Sequence, residues 1–170
     1  QIQLVDTPPV LRGHTKPWLF GIVKNADAIV LVLDLGDEDI IDQLEMVLEE
    51  VMSSGIKLSG GEPKQDSGDG MIHIKALICG NKSDTPGSDE RLSVLKELYS
   101  DEFPIISISA TGRNNLEELK LELYRLLNIV RVYSKPPGQK PDHEKPIVIK
   151  RGSTLIDFAS SIHKDFAERL

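Results

Sequence analysis

Two mainly apolar runs, "AIVLVLDL" (28–35) and "HIKALICG" (73–80), constrain this chain more than any other feature. The first shows no alternation of apolar with polar residues and reads as a strand covered on both faces, and the second reads as another buried strand. An amphipathic stretch follows each run. After the first, Ile40, Ile41, Leu44, Val47, Leu48 and Val51 fall at helical spacing, acids crowd the first turn and Gly55 closes the segment. After the second comes "SDERLSVLKELYS", a further helix. The stretches "IQLVD" (2–6) and "FPIISIS" (103–109) read as strands, and "WLFGIVKNA" (18–26) as a short helix. "NNLEELKLELYRLLN" places Leu116, Leu119, Leu123, Leu126 and Leu127 on one helical stripe. Strands separated by helices imply parallel pairing through right-handed crossovers, hence an α/β fold with a sheet between helices. Residues 55–71 are polar and rich in glycine, and read as a surface loop or hairpin.

Composition narrows the class. Of 170 residues, 39% are hydrophobic and 28% charged, as in ordinary globular domains. No run approaches 18 apolar residues, so neither a membrane span nor a membrane partner is expected. The single cysteine, Cys79, cannot form an intrachain disulfide and fits a small buried thiol in a reducing cytoplasm. His14, His73, His143 and His163 are scattered without zinc-site spacing. The chain begins at Gln1 inside a strand-like run and stops on "SIHKDFAERL", which reads as a piece of something longer.

After Asn128 the character changes to strand, proline-rich loop, strand, glycine turn and helix, with prolines at 136, 137, 141 and 146. These prolines argue against a central strand, and a domain boundary is placed near 128–131. Residues 1–130 carry 12 basic and 22 acidic side chains; residues 131–170 carry 8 and 5. A tail with net charge +3 on a body with net charge −10 suggests separate partners for the two parts, a polyanion among them for the tail.

In an open parallel sheet, ligands bind outside the carboxyl ends of the strands. Three strand ends carry suitable polar groups: Asp6 with Thr7, then Asn81, Lys82 and Asp84, then Ser109, Ala110 and Thr111. "NKSD" (81–84) resembles the guanine-recognition NKxD motif of GTPases, "LVDTPP" their DxxG switch motif, and "SISAT" the loop after their last strand. The resemblance implies a P-loop NTPase-like (Ras-like) three-layer parallel sheet. It also implies GTP or GDP as ligand, with Mg²⁺ held by Asp6 through a water. Asp84 would accept from the adjacent N1–H and amino donors of guanine. Adenine offers no such pair, so it would leave the carboxylate unmatched. Asn81 would brace the loop, Lys82 would lay its stem on the purine face, and the Ala110 N–H would donate to O6. The competing reading of the four residues is a helix-capping turn before "SDERL".

Two departures bear on turnover. Pro9 stands where the switch motif has glycine, and proline has no N–H to offer a γ-phosphate. Val10 stands where many relatives place a water-positioning glutamine, so hydrolysis is expected to be slow or to need a partner. His14 is the nearest imidazole and reads as a surface residue; no catalytic side chain is assigned. These 170 residues contain no GxxxxGK[ST] phosphate loop. That loop is expected upstream of Gln1, and the chain alone should not hydrolyse GTP.

"RVYSKPPGQKPD" and "PIVIKRGSTLIDFASSIH" resemble the start of a TGS domain, the β-grasp module of the DRG branch of Obg-related GTPases. Residues 1–128 would then be the C-terminal portion of a GTPase domain lacking its N-terminal part, and 129–170 a partial TGS segment. The resemblance implies docking on a ribosome, RNA or a regulatory protein, not DNA. A β-grasp missing its later strands would leave Leu155, Ile156, Phe158, Ile162 and Phe166 poorly covered. The rival to a slow GTPase switch is a degenerate, non-enzymatic scaffold that binds RNA or the ribosome through this segment.

Overall fold

A computed structural model of the chain describes residues 2–61, 68–133, 135, 138 and 146–162, the last two by backbone alone. Prolines 136, 137 and 141 and the side chains of Ile162 and Phe166 lie outside the described residues. The chain divides into two compact units, Gln1–Glu122 and Leu123–Leu170.

The first unit is a mixed α/β fold around a four-stranded parallel sheet. Helix α1 (Pro17–Lys24) starts with proline at its first position, where the missing N–H costs no intrahelical bond. Strand β1 (Ala28–Asp34) leads into α2 (Ile40–Ser53), which ends before Gly55 in the left-handed conformation at φ +82°. Strands β2 (Ile56–Ser59) and β3 (Ile72–Asn81) follow, then α3 (Ser88–Tyr99), β4 (Ile105–Ser107) and α4 (Leu116–Leu127).

Strand β3 is the axis of the sheet. On one edge it pairs with β1, from Ala28 opposite Lys75 to Asp34 opposite Asn81. Its other edge carries β2 along Ile72–Lys75 and β4 along Ile78–Gly80. Leu31, Leu33, Leu35, Ala76 and Ile78 form one core with Ile40 and Leu44 of α2, Leu95 of α3 and Phe103. Phe20 and Val23 of α1 pack with Val51, Ile56 and Ile74 in a second cluster.

Three expectations are corrected. Residues 2–6 form no strand; the segment is exposed, with Leu4 at 75%. A five-residue apolar run becomes a strand only when a neighbour takes up its backbone N–H and C=O groups, and among the described residues none does. Within 55–71, β2 is a true parallel strand, because Ile56 is fully buried and its neighbours have the N-terminal half of β3 to pair with. Strand β1 is covered on one face only. Leu31 and Leu33 are buried, but Val32 on the opposite face is 64% exposed, with no described element packed over it.

In the second unit, Asn128 takes a left-handed φ of +52° and ends α4, which asparagine tolerates better than most residues. Strand β5 (Ile129–Val132) pairs antiparallel with β6 (Ile147–Lys150), and the Arg151 N–H donates to the Asn128 carbonyl at 2.8 Å. The Arg131 guanidinium lies 4.4 Å from the centroid of the Tyr124 ring. Helix α5 (Leu155–Ile162) opens on a capping box, in which Asp157 Oδ2 accepts from the Thr154 N–H and the Asp157 N–H donates to Thr154 Oγ1. Leu155 and Ile156 are exposed, as expected of that apolar face, while Phe158 is half-buried.

Candidate functional site

The site is built where β1, β3 and β4 end together. Parallel register puts Asp34 beside Asn81 and Gly80 beside Ser107, so the loops leaving these strands emerge on one edge. Backbone bonds lock them: Leu35 N–H to Asn81 O at 2.8 Å, and Ser83 N–H to Ile108 O at 3.0 Å. Arg91 on α3 clamps the same loops from the side, its guanidinium donating to the carbonyls of Leu35 and Pro86.

Asn81 joins two of the predicted segments. Its Oδ1 accepts the Lys82 N–H at 2.8 Å and the Ala110 N–H at 3.1 Å. The amide Nδ2 is thereby the group Asn81 can offer a ligand. The Ala110 N–H, expected to face guanine O6, is bonded to Asn81 instead; contact with O6 requires it to be shared or released.

Lys82 adopts a left-handed φ of +63°, uncommon for a residue with a β-carbon. It is held there from several sides. Its N–H is taken by Asn81, its carbonyl accepts from Thr85 N–H and Oγ1, and its Nζ reaches Asp34 Oδ2 at 2.5 Å. The bond from Asp34 raises the Lys82 pKa, and the bond from Lys82, then that from Gly36 N–H, lowers that of Asp34.

Asp84 is exposed, and its carboxylate is favoured chiefly by the hydroxyl of the fully buried Ser109. That group, then the N–H of Asp84 itself, holds the carboxyl below its ordinary value of 3.8, so it is a carboxylate at neutral pH. Helix α3 is capped by Gly87 at φ +75° with no side-chain cap, so Asp84 does not serve as a helix cap. The Ser109 hydroxyl also accepts the Gly112 N–H at 2.9 Å, closing the loop that carries Ala110 and exposed Thr111.

Asp6, Thr7 and Pro9 are exposed, and among the described residues no hydrogen bond ties them to this edge. His14 is exposed in the turn after Leu11. Among the described residues no group of three or more His, Cys, Asp or Glu is arranged to hold a metal ion.

Between the loops after β1 and β3 lies an open cleft of about 660 Å³, lined by Asp34, Asp37, Asp39, Lys82 and Thr85 among others. Sequence reasoning missed Asp34 and Arg91. Asp34 carried a usable signal, an acid closing a buried apolar run, the same signature that marked Asn81.

Residues 130–170 match the TGS domain family. A GTP-binding protein of Methanocaldococcus jannaschii is 35% identical over 97 residues, covering 56% of this chain and 24% of that protein. Developmentally-regulated GTP-binding protein 1 of Xenopus laevis is 39% identical over 95 residues, covering 55% of this chain and 24% of the relative. GTPase Obg of Mycoplasmopsis agalactiae is 27% identical over 154 residues, covering 86% of this chain and 33% of the relative. The chain thus spans a quarter to a third of the length of these three relatives. Residues 130–170 are thus similar to the TGS domain family, and the chain is similar to the developmentally regulated and Obg GTP-binding proteins.

Proposed function

We propose that these residues form the base-recognition half of a guanine-nucleotide-binding protein, which binds GTP and GDP through Asn81, Lys82, Asp84 and the Ser109–Thr111 loop. The observation that carries the reading is the exposed Asp84 carboxylate, favoured by buried Ser109 and committed to no helix cap. An ionised carboxylate at a strand-end edge suits a ligand with two adjacent N–H donors, as guanine has. The names of the relatives point the same way.

The complete protein would act as a slow GTPase switch, since Val10 replaces a water-positioning side chain and Pro9 offers no N–H. Asp6 would hold Mg²⁺ through a water, and the metal would neutralise charge on the terminal phosphates. The tail, with net charge +3, would meet a translation-related partner, a ribosome, RNA or a regulatory protein in the cytoplasm. A second reading, a non-enzymatic scaffold, is favoured by one observation: Pro9 and Val10 stand where a GTPase switch would carry a glycine and a water-positioning side chain.

Titration of the complete protein with fluorescent GDP, competed by GTP, ATP and XTP, tests the reading. GTP should displace the probe and ATP should not. Asp84→Asn should transfer preference to XTP, whose C2 carbonyl replaces the amino donor. Equal competition by ATP, or no saturable binding, would overturn guanine recognition.

A further inference from the structure

One charged contact at the site has no part in the reading above: the ion pair between Lys82 Nζ and Asp34 Oδ2, at 2.5 Å. We infer that Asp34 is a positioning residue for the base pocket, anchoring the Lys82 ammonium at the end of β1 so that its aliphatic stem forms a fixed platform for the purine. The inference rests on the guanine-nucleotide reading.

Three observations carry it. Register places Asp34 directly beside Asn81, so the residue after Asn81 is within reach of the carboxylate. Asp34 is itself held, because its other oxygen, Oδ1, accepts the Gly36 N–H at 2.8 Å. Lys82 is fixed at both ends: its backbone is kept at φ +63° by Asn81 and Thr85, and its ammonium is kept by Asp34.

The pair contributes little to the fold. The side chains are 53% and 38% exposed, and ion pairs this wet stabilise weakly. A backbone conformation that costs free energy, together with a side-chain ion pair of small structural worth, both beside a candidate ligand site, points to a role in the site. An unanchored lysine stem would sample many rotamers and lose that freedom when a base settles on it. Anchored by Asp34, it has lost the freedom before the base arrives, which is preorganisation.

Charge alone predicts the opposite outcome. Nucleotides are anionic, and removing a nearby carboxylate should strengthen their binding through the field. The sign of the effect therefore separates positioning from electrostatics.

The experiment is a double-mutant cycle on the complete protein, with fluorescent GDP affinity and dissociation rate measured for wild type, Asp34→Asn, Lys82→Met and the double variant. Asparagine keeps an acceptor for the Gly36 N–H. Asp34→Asn should weaken binding about threefold to fivefold, mostly through faster dissociation. In the Lys82→Met background the same change should have no weakening effect.

Tighter or unchanged binding in Asp34→Asn would overturn the inference. So would an equal loss in both backgrounds, the result that partial unfolding of the variant would give. Wild type that fails to bind the probe would overturn guanine recognition and this inference together. Wild type that binds normally, with Asp34→Asn silent, would overturn the inference alone.

Discussion

Ser109 is fully buried, and its hydroxyl accepts the Gly112 N–H and favours the Asp84 carboxylate. One small side chain thus serves both a loop backbone and the group proposed to read guanine. Ser109→Ala removes both interactions, and loss of a buried hydroxyl with its partners costs about 1–2 kcal/mol. The depressed Asp84 pKa contributes stability that is complete above 3.8 and fades as the pH falls through the lower folded-state value. Without Ser109, the largest cause of that depression, the Asp84 carboxyl should titrate closer to 3.8. Carbon-13 NMR of the carboxyl carbon in both proteins measures it; identical titration curves would refute the interaction. The placement of Asn81, Lys82 and Asp84 at and just past the end of β3 was legible in the sequence because polar groups ending a buried strand stand out. Asp34 has the same signature, yet its importance depends on register with Asn81, 47 positions along the chain, and no local pattern encodes register.

At the scale of elements, β1, β3 and the helices α1 to α4 were readable because each carries its own apolar run or stripe. Strand β2 was hidden, because "IKLS" is four residues long between glycines and exists through pairing with β3. The converse error befell residues 2–6, whose apolar pattern suited a strand but found no neighbour. Gly60 shows how closely β2 meets the sheet. Its N–H donates to the Glu102 carbonyl at 2.8 Å, and an added β-carbon would press on Pro104 and lie 2.7 Å from the Glu102 oxygen. Backbone cannot yield as a long side chain can, so Gly60→Ala should cost about 1–3 kcal/mol. Gly61→Ala is the control: nothing lies within 4 Å of its added carbon, and it should shift stability by less than about 1 kcal/mol. Urea midpoints of the two variants check the contrast, and equal midpoints would mean that β2 can move away from Pro104.

Over the whole molecule, apolar burial is unevenly shared. Strand β3 is buried from Ala76 to Gly80, and its Leu77, Ile78 and Cys79 are at most 1% exposed. Burial holds the Cys79 thiol up to about 11, so it stays protonated at neutral pH. In the second unit, Leu126 and Ala159 are the only buried hydrophobics among the described residues, and Leu155 and Ile156 face solvent. A two-stranded hairpin such as β5–β6 is marginal in water without a hydrophobic face packed against it. Local opening of the hairpin should therefore cost far less free energy than opening of β3. Native-state amide exchange should show protection on the order of a hundredfold lower in Ile129–Val132 and Ile147–Lys150 than in Leu77–Cys79. A partner that binds the folded TGS segment must raise that protection, because binding to the native state alone shifts the opening equilibrium. Exchange measured with and without RNA thus tests the fold and the proposed docking in one series. Slow exchange in the free protein would show that the hairpin has a core of its own, whereas fast exchange that RNA does not slow would remove RNA from the proposed partners.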